Sequence, residues 1–170
     1  MKEFKDMIFI SEILLQSKIA QRAFERLFAT HKNFDQLEVW CSIQSILVST
    51  GNISKILWSS KNQSRSKRLR EILKVEEDSI ILDRKFRNHF EHYDERIEKS
   101  FDGRTGGLYV DLAMNPSLNG DLDYDENNNR GYNSFDNSLI FRGERLDLNK
   151  VLNALIEVHN NCKLYVLDTP

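Results

Sequence analysis

The segment RKFRNHFEHYDER, Arg84 to Arg96, combines charged, imidazole and aromatic side chains more densely than the rest of the chain. It holds four Lys or Arg residues, two histidines, three carboxylates, two phenylalanines and one tyrosine. Its aromatic residues belong to an apolar series with spacings of 4, 4, 3 and 4: Leu82, Phe86, Phe90, Tyr93 and Ile97. This spacing predicts an amphipathic helix whose apolar stripe faces a core.

The opposite face of that helix carries polar residues. Asn88 and His92 each lie two positions beyond a stripe residue, about 200° around a helix that turns by ~100° per residue. Because they are four apart, they share one face. Arg87 lies between that face and the stripe, where a long side chain can extend to solvent. Alternatively, these charges only form helix pairs on a solvated face, such as Asp83 with Arg87 and His92 with Arg96.

The remaining sequence predicts a mainly helical fold. A chain of 170 residues is most naturally one domain, residues 1–170, with a sizeable buried core. Apolar residues at helical spacing predict five helices, with an N-cap at Asp78 or Ser79 for the fourth and at Asp147 for the fifth: about 4–29, 35–58, 64–74, 79–100 and 148–164. We therefore expect a helical bundle of about five helices.

A long irregular insertion separates helices four and five. Residues 101–136 hold five of the seven glycines and many Asn and Asp residues, which indicates a long loop that is either functional or disordered. LYVDL (108–112) and SLIFRG (138–143) have β character and can pair as a small hairpin. DLDYDENNN (121–129) lacks the glycine and the terminal acid of a calcium-binding loop, so we expect a solvated acidic loop.

The net charge of −2 gives no overall attraction to polyanions, so any such site must be a local basic patch. The segment 61–74 has six Lys or Arg residues against one Glu, and the segment 84–96 adds to it. Together they form the only concentrated basic zone of the sequence and predict a phosphate-binding surface. Its candidate residues are Arg65, Lys67, Arg68, Arg84, Lys85, His89 and Arg96.

Several classes of protein are not indicated. No apolar run approaches the roughly 18 residues that cross a bilayer, and no small-residue cleavage site follows the first helix, so we expect a cytoplasmic protein without a membrane partner. Cys41 and Cys162 have no zinc-ligand spacing, and no carboxylate cluster indicates a divalent metal. We therefore expect neither a metal nor a cofactor.

The run SIILDRKFRNHFEHYDERIEK resembles the motif helix of the HEPN superfamily, a group of small helical-bundle domains. The family motif is an Arg, usually followed directly by Asn, Asp or His, and then a His after four to six residues. Arg87, Asn88 and His92 match it. The pairs Arg26–His31 and Arg84–His89 have similar spacing, but Leu and Lys follow their arginines.

The resemblance implies a metal-independent endoribonuclease that cuts single-stranded RNA by attack of the 2′-hydroxyl. His92 would be the general base or acid, Arg87 would hold the phosphate, and Asn88 would orient the histidine or the RNA backbone. The products would carry a 2′,3′-cyclic phosphate and a 5′-hydroxyl. The resemblance further implies a homodimer through the motif helix, and a role as a toxin or defence effector with an antitoxin or other protein partner. The alternative is a non-catalytic, dimeric HEPN-like module that binds a protein, a nucleotide or RNA.

Overall fold

The computed structural model describes residues 4–33, 35–102, 109–115 and 129–166. The protein is mainly helical and has a small four-stranded sheet. Its helices are α1 (Phe4–Ala29), α2 (Gln36–Leu57), α3 (Gln63–Leu73), a 3₁₀ turn (Ile80–Leu82), α4 (Lys85–Glu91), α5 (Tyr93–Phe101) and α6 (Leu148–Lys163). Its strands are β1 (Ala113–Met114), β2 (Arg130–Asn133), β3 (Ser138–Phe141) and β4 (Glu144–Asp147). None of the helices in the described part is long and apolar enough to cross a membrane.

The chain divides into two compact units, and the first comprises residues 1–84 and 150–170. Its centre is the hairpin of α1 and α2, whose facing apolar residues, such as Ile13 and Ile46, are fully buried. Asp35 caps α2 by accepting the Glu38 backbone N–H at 3.1 Å. Helix α6 contributes further core residues, such as Leu155. Burial of these apolar faces supplies the main stabilisation of the unit.

The second unit, residues 85–149, contains α4, α5 and the sheet. The strand order is β1-β2-β3-β4, with β1 parallel to β2 and the other pairs antiparallel. Arg142 and Gly143 link β3 to β4 and both have positive φ, 47° and 78°. A two-residue hairpin loop with this backbone matches the twist of its strands. The buried residues of the sheet include Tyr132, Leu139 and Phe141.

Four of the five predicted helices are confirmed to within about two residues, but the fourth is wrong as a continuous helix. It is interrupted at Asp83, which is extended (φ −71°, ψ 117°), and again at His92 (φ −105°, ψ 40°). A stripe counted across such breaks does not stay on one face, because each break changes the helical phase. Accordingly Phe86 is buried, whereas Leu82 and Ile97 are each 39% exposed.

The predicted hairpin between 108–112 and 138–143 is also wrong. The second segment contains β3, but the neighbours of β3 are β2 and β4, to which it is joined by short turns. The predicted insertion 101–136 carries β1 and β2 in its described part. The acidic run 121–129 lies outside the described residues, except for Asn129.

Candidate functional site

The motif residues surround the junction between α4 and α5. Arg87 and Asn88 belong to α4, and His92 is the single residue between the two helices. The His92 backbone N–H donates to the Asn88 carbonyl at 3.0 Å, and the His92 carbonyl accepts the Arg96 N–H at 3.3 Å. The helical hydrogen bonds therefore continue across the junction, although His92 itself leaves the helical conformation.

The side chains of Asn88 and His92 are both exposed, as an outward face predicts. His92 Nδ1 lies 3.4 Å from Oε1 of Glu95, one turn later, and its side chain is 56% exposed. Among the described residues, the Asn88 side chain has no hydrogen-bond partner. An imidazole and an amide one turn apart are thus accessible to an external ligand.

The sequence predicts that the Arg87 side chain extends into solvent, and this prediction is wrong. Arg87 is only 8% exposed. Its guanidinium pairs with Glu91, one turn later, whose side chain is 40% exposed. Its Nε is buried and has no acceptor within the described part of the chain. A guanidinium has five N–H donors, and buried donors are normally satisfied. Arg87 is therefore a buried cation with fewer acceptors than it needs.

Three of the predicted phosphate-binding residues form a network within the second unit. The His89 ring stacks on Phe141, with ring centroids 4.2 Å apart, and its Nδ1 accepts a hydrogen bond from Arg96 Nε at 3.3 Å. Lys85 pairs with Glu144 at 2.7 Å, and the same carboxylate lies 3.8 Å from His89 Nε2. Burial, and then the charge of Arg96, lower the pKa of His89. His89 is thus held as a neutral, partly buried imidazole.

The basic residues of α3 lie in the first unit, and two of them are engaged in its packing. Arg68 donates two hydrogen bonds of 2.8 Å to the carboxylate of Asp6, which is buried. The guanidinium of Arg65 lies over the ring of Phe9, 4.4 Å from its centroid. Lys67 is exposed. Most of the positive charge predicted for α3 is therefore used internally.

Arg84, the last predicted phosphate-binding residue, is half-buried at the end of the first unit. The predicted residues thus belong to both units, and those on α3 are separate in sequence from the motif. Within the second unit, the motif residues lie in one segment of six residues, 87–92: Arg87, Asn88 and His92. They are the candidate site.

Next to His92 lies a cluster that the sequence did not reveal. The Arg130 guanidinium donates two hydrogen bonds of 3.0 and 2.5 Å to Asp111, and its backbone N–H donates a third at 3.1 Å. The guanidinium carbon is 3.7 Å from the centroid of the Tyr93 ring. The Tyr93 and Tyr109 hydroxyls are 2.6 Å apart. Burial acts to raise the pKa of Asp111, but hydrogen bonds from Arg130 and Tyr93 outweigh it and leave the pKa below its ordinary value.

This cluster holds Tyr93, the first residue of α5 and the residue directly after His92, against the strand that carries Arg130. Burial, together with the hydrogen bond to Tyr109, raises the pKa of Tyr93 far above its ordinary value. The members of this cluster come from three separate parts of the sequence, so neither periodicity nor a local motif could have indicated the cluster.

The described residues include no group of three or more His, Cys, Asp or Glu side chains that could together hold a metal ion. Comparison with known proteins gave no match to a family model, to a curated protein or to a solved structure.

Proposed function

We propose that the protein is a HEPN-like, metal-independent endoribonuclease that cuts single-stranded RNA at the junction of α4 and α5. The observation that carries this proposal is the state of Arg87, a buried guanidinium. Among the described residues its Nε has no acceptor, and its one ion-pair partner is an exposed carboxylate. A phosphate has several acceptor oxygens and binds arginine through paired, charge-assisted hydrogen bonds. A backbone phosphate of RNA that replaces Glu91 would satisfy this cation.

The reaction uses the nucleophile that RNA itself carries. The neutral imidazole of His92 has a ring nitrogen that can accept a proton, so it can remove the proton of the 2′-hydroxyl, which then attacks the adjacent phosphorus. The bond from phosphorus to the 5′-oxygen breaks, which leaves a 2′,3′-cyclic phosphate and a 5′-hydroxyl. Arg87 stabilises the additional negative charge of the transition state. Asn88 orients the RNA backbone from the preceding turn.

The leaving 5′-oxygen needs a proton donor, and the motif of one chain offers one exposed histidine. We propose that a second chain supplies the other, in a homodimer with two-fold symmetry through the motif helices α4 and α5. In such an interface the same surface serves both subunits, so two copies of His92 provide the base and the acid. A ribonuclease of this kind acts as a toxin or a defence effector, controlled by an antitoxin or another protein partner.

The second candidate is a non-catalytic dimeric module that binds RNA, a nucleotide or a protein. The pair of Arg87 with Glu91 favours it, because an internal carboxylate already occupies the cation without a substrate. Both candidates use the same surface. They differ in whether His92 changes a covalent bond or only contributes to binding.

Cleavage of a labelled single-stranded RNA in EDTA separates the two candidates. We expect the wild-type protein to release fragments with 2′,3′-cyclic phosphate ends and to leave DNA of the same sequence intact. His92→Ala and Arg87→Ala should each lower the rate by about 100-fold or more. His31→Ala, which removes an exposed histidine at the end of α1, should cut like the wild type.

If the wild type leaves the RNA whole but binds it, the binding module replaces the nuclease. If His92→Ala cuts as fast as the wild type, the assigned base is wrong. The dimer is tested by analytical ultracentrifugation at micromolar concentration. A fully active monomer would exclude a second histidine from the mechanism.

A further inference from the structure

A second site candidate lies in the first unit, away in sequence from the motif. A cavity of about 430 Å³ is formed where α2 ends and α3 begins, which is within the size range of small-molecule pockets, about 300–1,000 Å³. Its lining residues are Trp58, Ser59, Ser60, Gln63, Ser64, Ser66, Lys67 and Arg70. None of the side chains that line it is a carboxylate.

The cavity wall is held by hydrogen bonds between the two helices. The Ser66 hydroxyl donates to the Ile56 carbonyl at the end of α2 and accepts the Ser59 backbone N–H, both at 3.0 Å. Arg70 donates to the Leu57 carbonyl. These contacts satisfy the carbonyls of Ile56 and Leu57 and hold the start of α3 against the end of α2.

The cavity has two sources of hydrogen-bond donors for an anion, one lysine and the start of α3. Lys67 is exposed and has no ion pair among the described residues. The side chain of Asn62 does not cap α3, so the first backbone N–H groups of the helix, at Gln63 and Ser64, lack an acceptor in the described part of the chain. The guanidinium of Arg70 is engaged by the exposed Glu77 at 2.8 Å. Lys67 is therefore the lining cation whose charge is available to a ligand.

The indole of Trp58 gives the cavity an apolar and planar part. The Trp58 backbone N–H donates to the Ser54 carbonyl at 2.8 Å at the end of α2, and the guanidinium of Arg70 lies 5.4 Å from the centroid of the indole ring. A ligand that fills the cavity thus meets an aromatic surface, hydroxyl groups and one ammonium group.

We infer that this cavity binds a small phosphate monoester whose phosphate is joined to a planar apolar group. The phosphate has three terminal acceptor oxygens, which match the three donors of Lys67 together with the unpaired N–H groups of α3. The planar group contacts Trp58. Arg87, Asn88 and His92 take no part in this site, so it stands independently of the proposed nuclease activity.

Phenyl phosphate is the probe for this site. The chain has two tryptophans, so the indole N–H signals of Trp40 and Trp58 can be followed individually by NMR once Trp40→Phe assigns them. We expect a saturable shift of the Trp58 signal at millimolar phenyl phosphate. Inorganic phosphate carries only the phosphate group of this probe, and phenol carries only its aromatic ring. Each should bind at least about tenfold more weakly than phenyl phosphate.

The matched pair of variants is Lys67→Ala and Lys61→Ala, because Lys61 is also exposed but does not line the cavity. Lys67→Ala should weaken phenyl phosphate binding by about tenfold, and Lys61→Ala by less than about twofold. Thermal melting by circular dichroism verifies that both variants are folded. The inference is overturned if the Trp58 signal does not shift saturably, if the two variants bind alike, or if inorganic phosphate binds as well as phenyl phosphate.

Discussion

Arg130 and Arg87 are both largely buried cations of the second unit, but their surroundings differ. The guanidinium of Arg130 donates two hydrogen bonds to Asp111, its backbone N–H donates a third, and the side chains of this pair are 14% and 16% exposed. The Tyr93 ring covers its guanidinium. Within the described ranges of the chain, Arg87 has one carboxylate partner, the exposed Glu91, and its buried Nε has no acceptor.

The difference separates a structural cation from one that is available for binding. An arginine that holds elements together is surrounded by acceptors, because a buried charge without them is costly. An arginine that lacks acceptors in the isolated chain remains available to an anion that arrives from outside. By this criterion Arg130 stabilises the second unit, whereas Arg87 belongs to the candidate site.

The largest expected effect is the loss of stability caused by Arg130→Ala. Arg130→Ala removes the charged partner of the largely buried Asp111 carboxylate, although the hydrogen bonds from the Tyr93 hydroxyl and from the backbone N–H of residue 130 remain. The loss of the buried ion pair should lower the free energy of unfolding by about 3 kcal/mol. Arg145→Ala is the matched control on the same sheet, because Arg145 pairs with Asp136 and both side chains are well exposed. It should cost less than about 1 kcal/mol in urea denaturation. If both variants lose the same free energy of unfolding, Arg130 does not have the structural role assigned to it.

Arg87 should respond differently to an apolar replacement of similar length. Arg87→Met removes a buried charge that lacks acceptors, so the free energy of unfolding should stay within about 1 kcal/mol of the wild type. The same variant should no longer cut RNA, because the phosphate loses its partner. If urea denaturation shows a loss as large as that of Arg130→Ala, Arg87 is a structural residue and the distinction fails.

Glu91 tests whether the carboxylate competes with RNA. Glu91→Gln removes the charge that engages Arg87 and should raise the rate of RNA cleavage severalfold. The glutamine oxygen can still accept a hydrogen bond from Arg87, so the free energy of unfolding should change by about 1 kcal/mol or less. Glu25→Gln, which alters the exposed pair with Arg22 on α1, should change neither. A slower Glu91→Gln variant would instead mean that Glu91 holds Arg87 in its productive position.

The sequence predicted helices α1, α2, α3 and α6 closely because their signals are local. Apolar residues recur at helical spacing through each of them, and a capping residue such as Asp35 marks a start. The break at His92 has no such signal, since neither Gly nor Pro occurs in 84–96. Tyr93, which follows the break, is held by residues that are distant in sequence, Asp111 and Arg130, and such contacts cannot be inferred from periodicity.

The candidate site was predictable in part for the same reason. The exposure of Asn88 and His92 follows from a count along a short stretch of helix. The burial of Arg87 does not, because it depends on tertiary packing, which a count along one helix does not contain. The strand β3 was likewise recognisable from SLIF, but its partners β2 and β4 were not. Roles in catalysis or binding remain predictions for all of these residues.

The smallest effect expected is the pH dependence that His89 gives to stability. Burial and the charge of Arg96 lower its pKa in the folded protein below the ordinary 6.5, so the unfolded chain binds the proton more tightly. This contribution to the free energy of unfolding is therefore complete above about pH 6.5 and declines as the pH falls towards the folded pKa. Urea denaturation of the wild type between pH 7 and 5 should show this decline.

His89→Gln removes the titrating group from this position, so its unfolding free energy should fall less steeply over the same range. His31→Gln, which removes an exposed histidine from the first unit, should follow the wild-type slope. The opposite slope, with the wild type gaining stability relative to His89→Gln as the pH falls, would mean that Glu144 outweighs burial and Arg96. His89 would then be a charged partner of Glu144, and a source of positive charge beside the motif rather than a neutral ring stacked on Phe141.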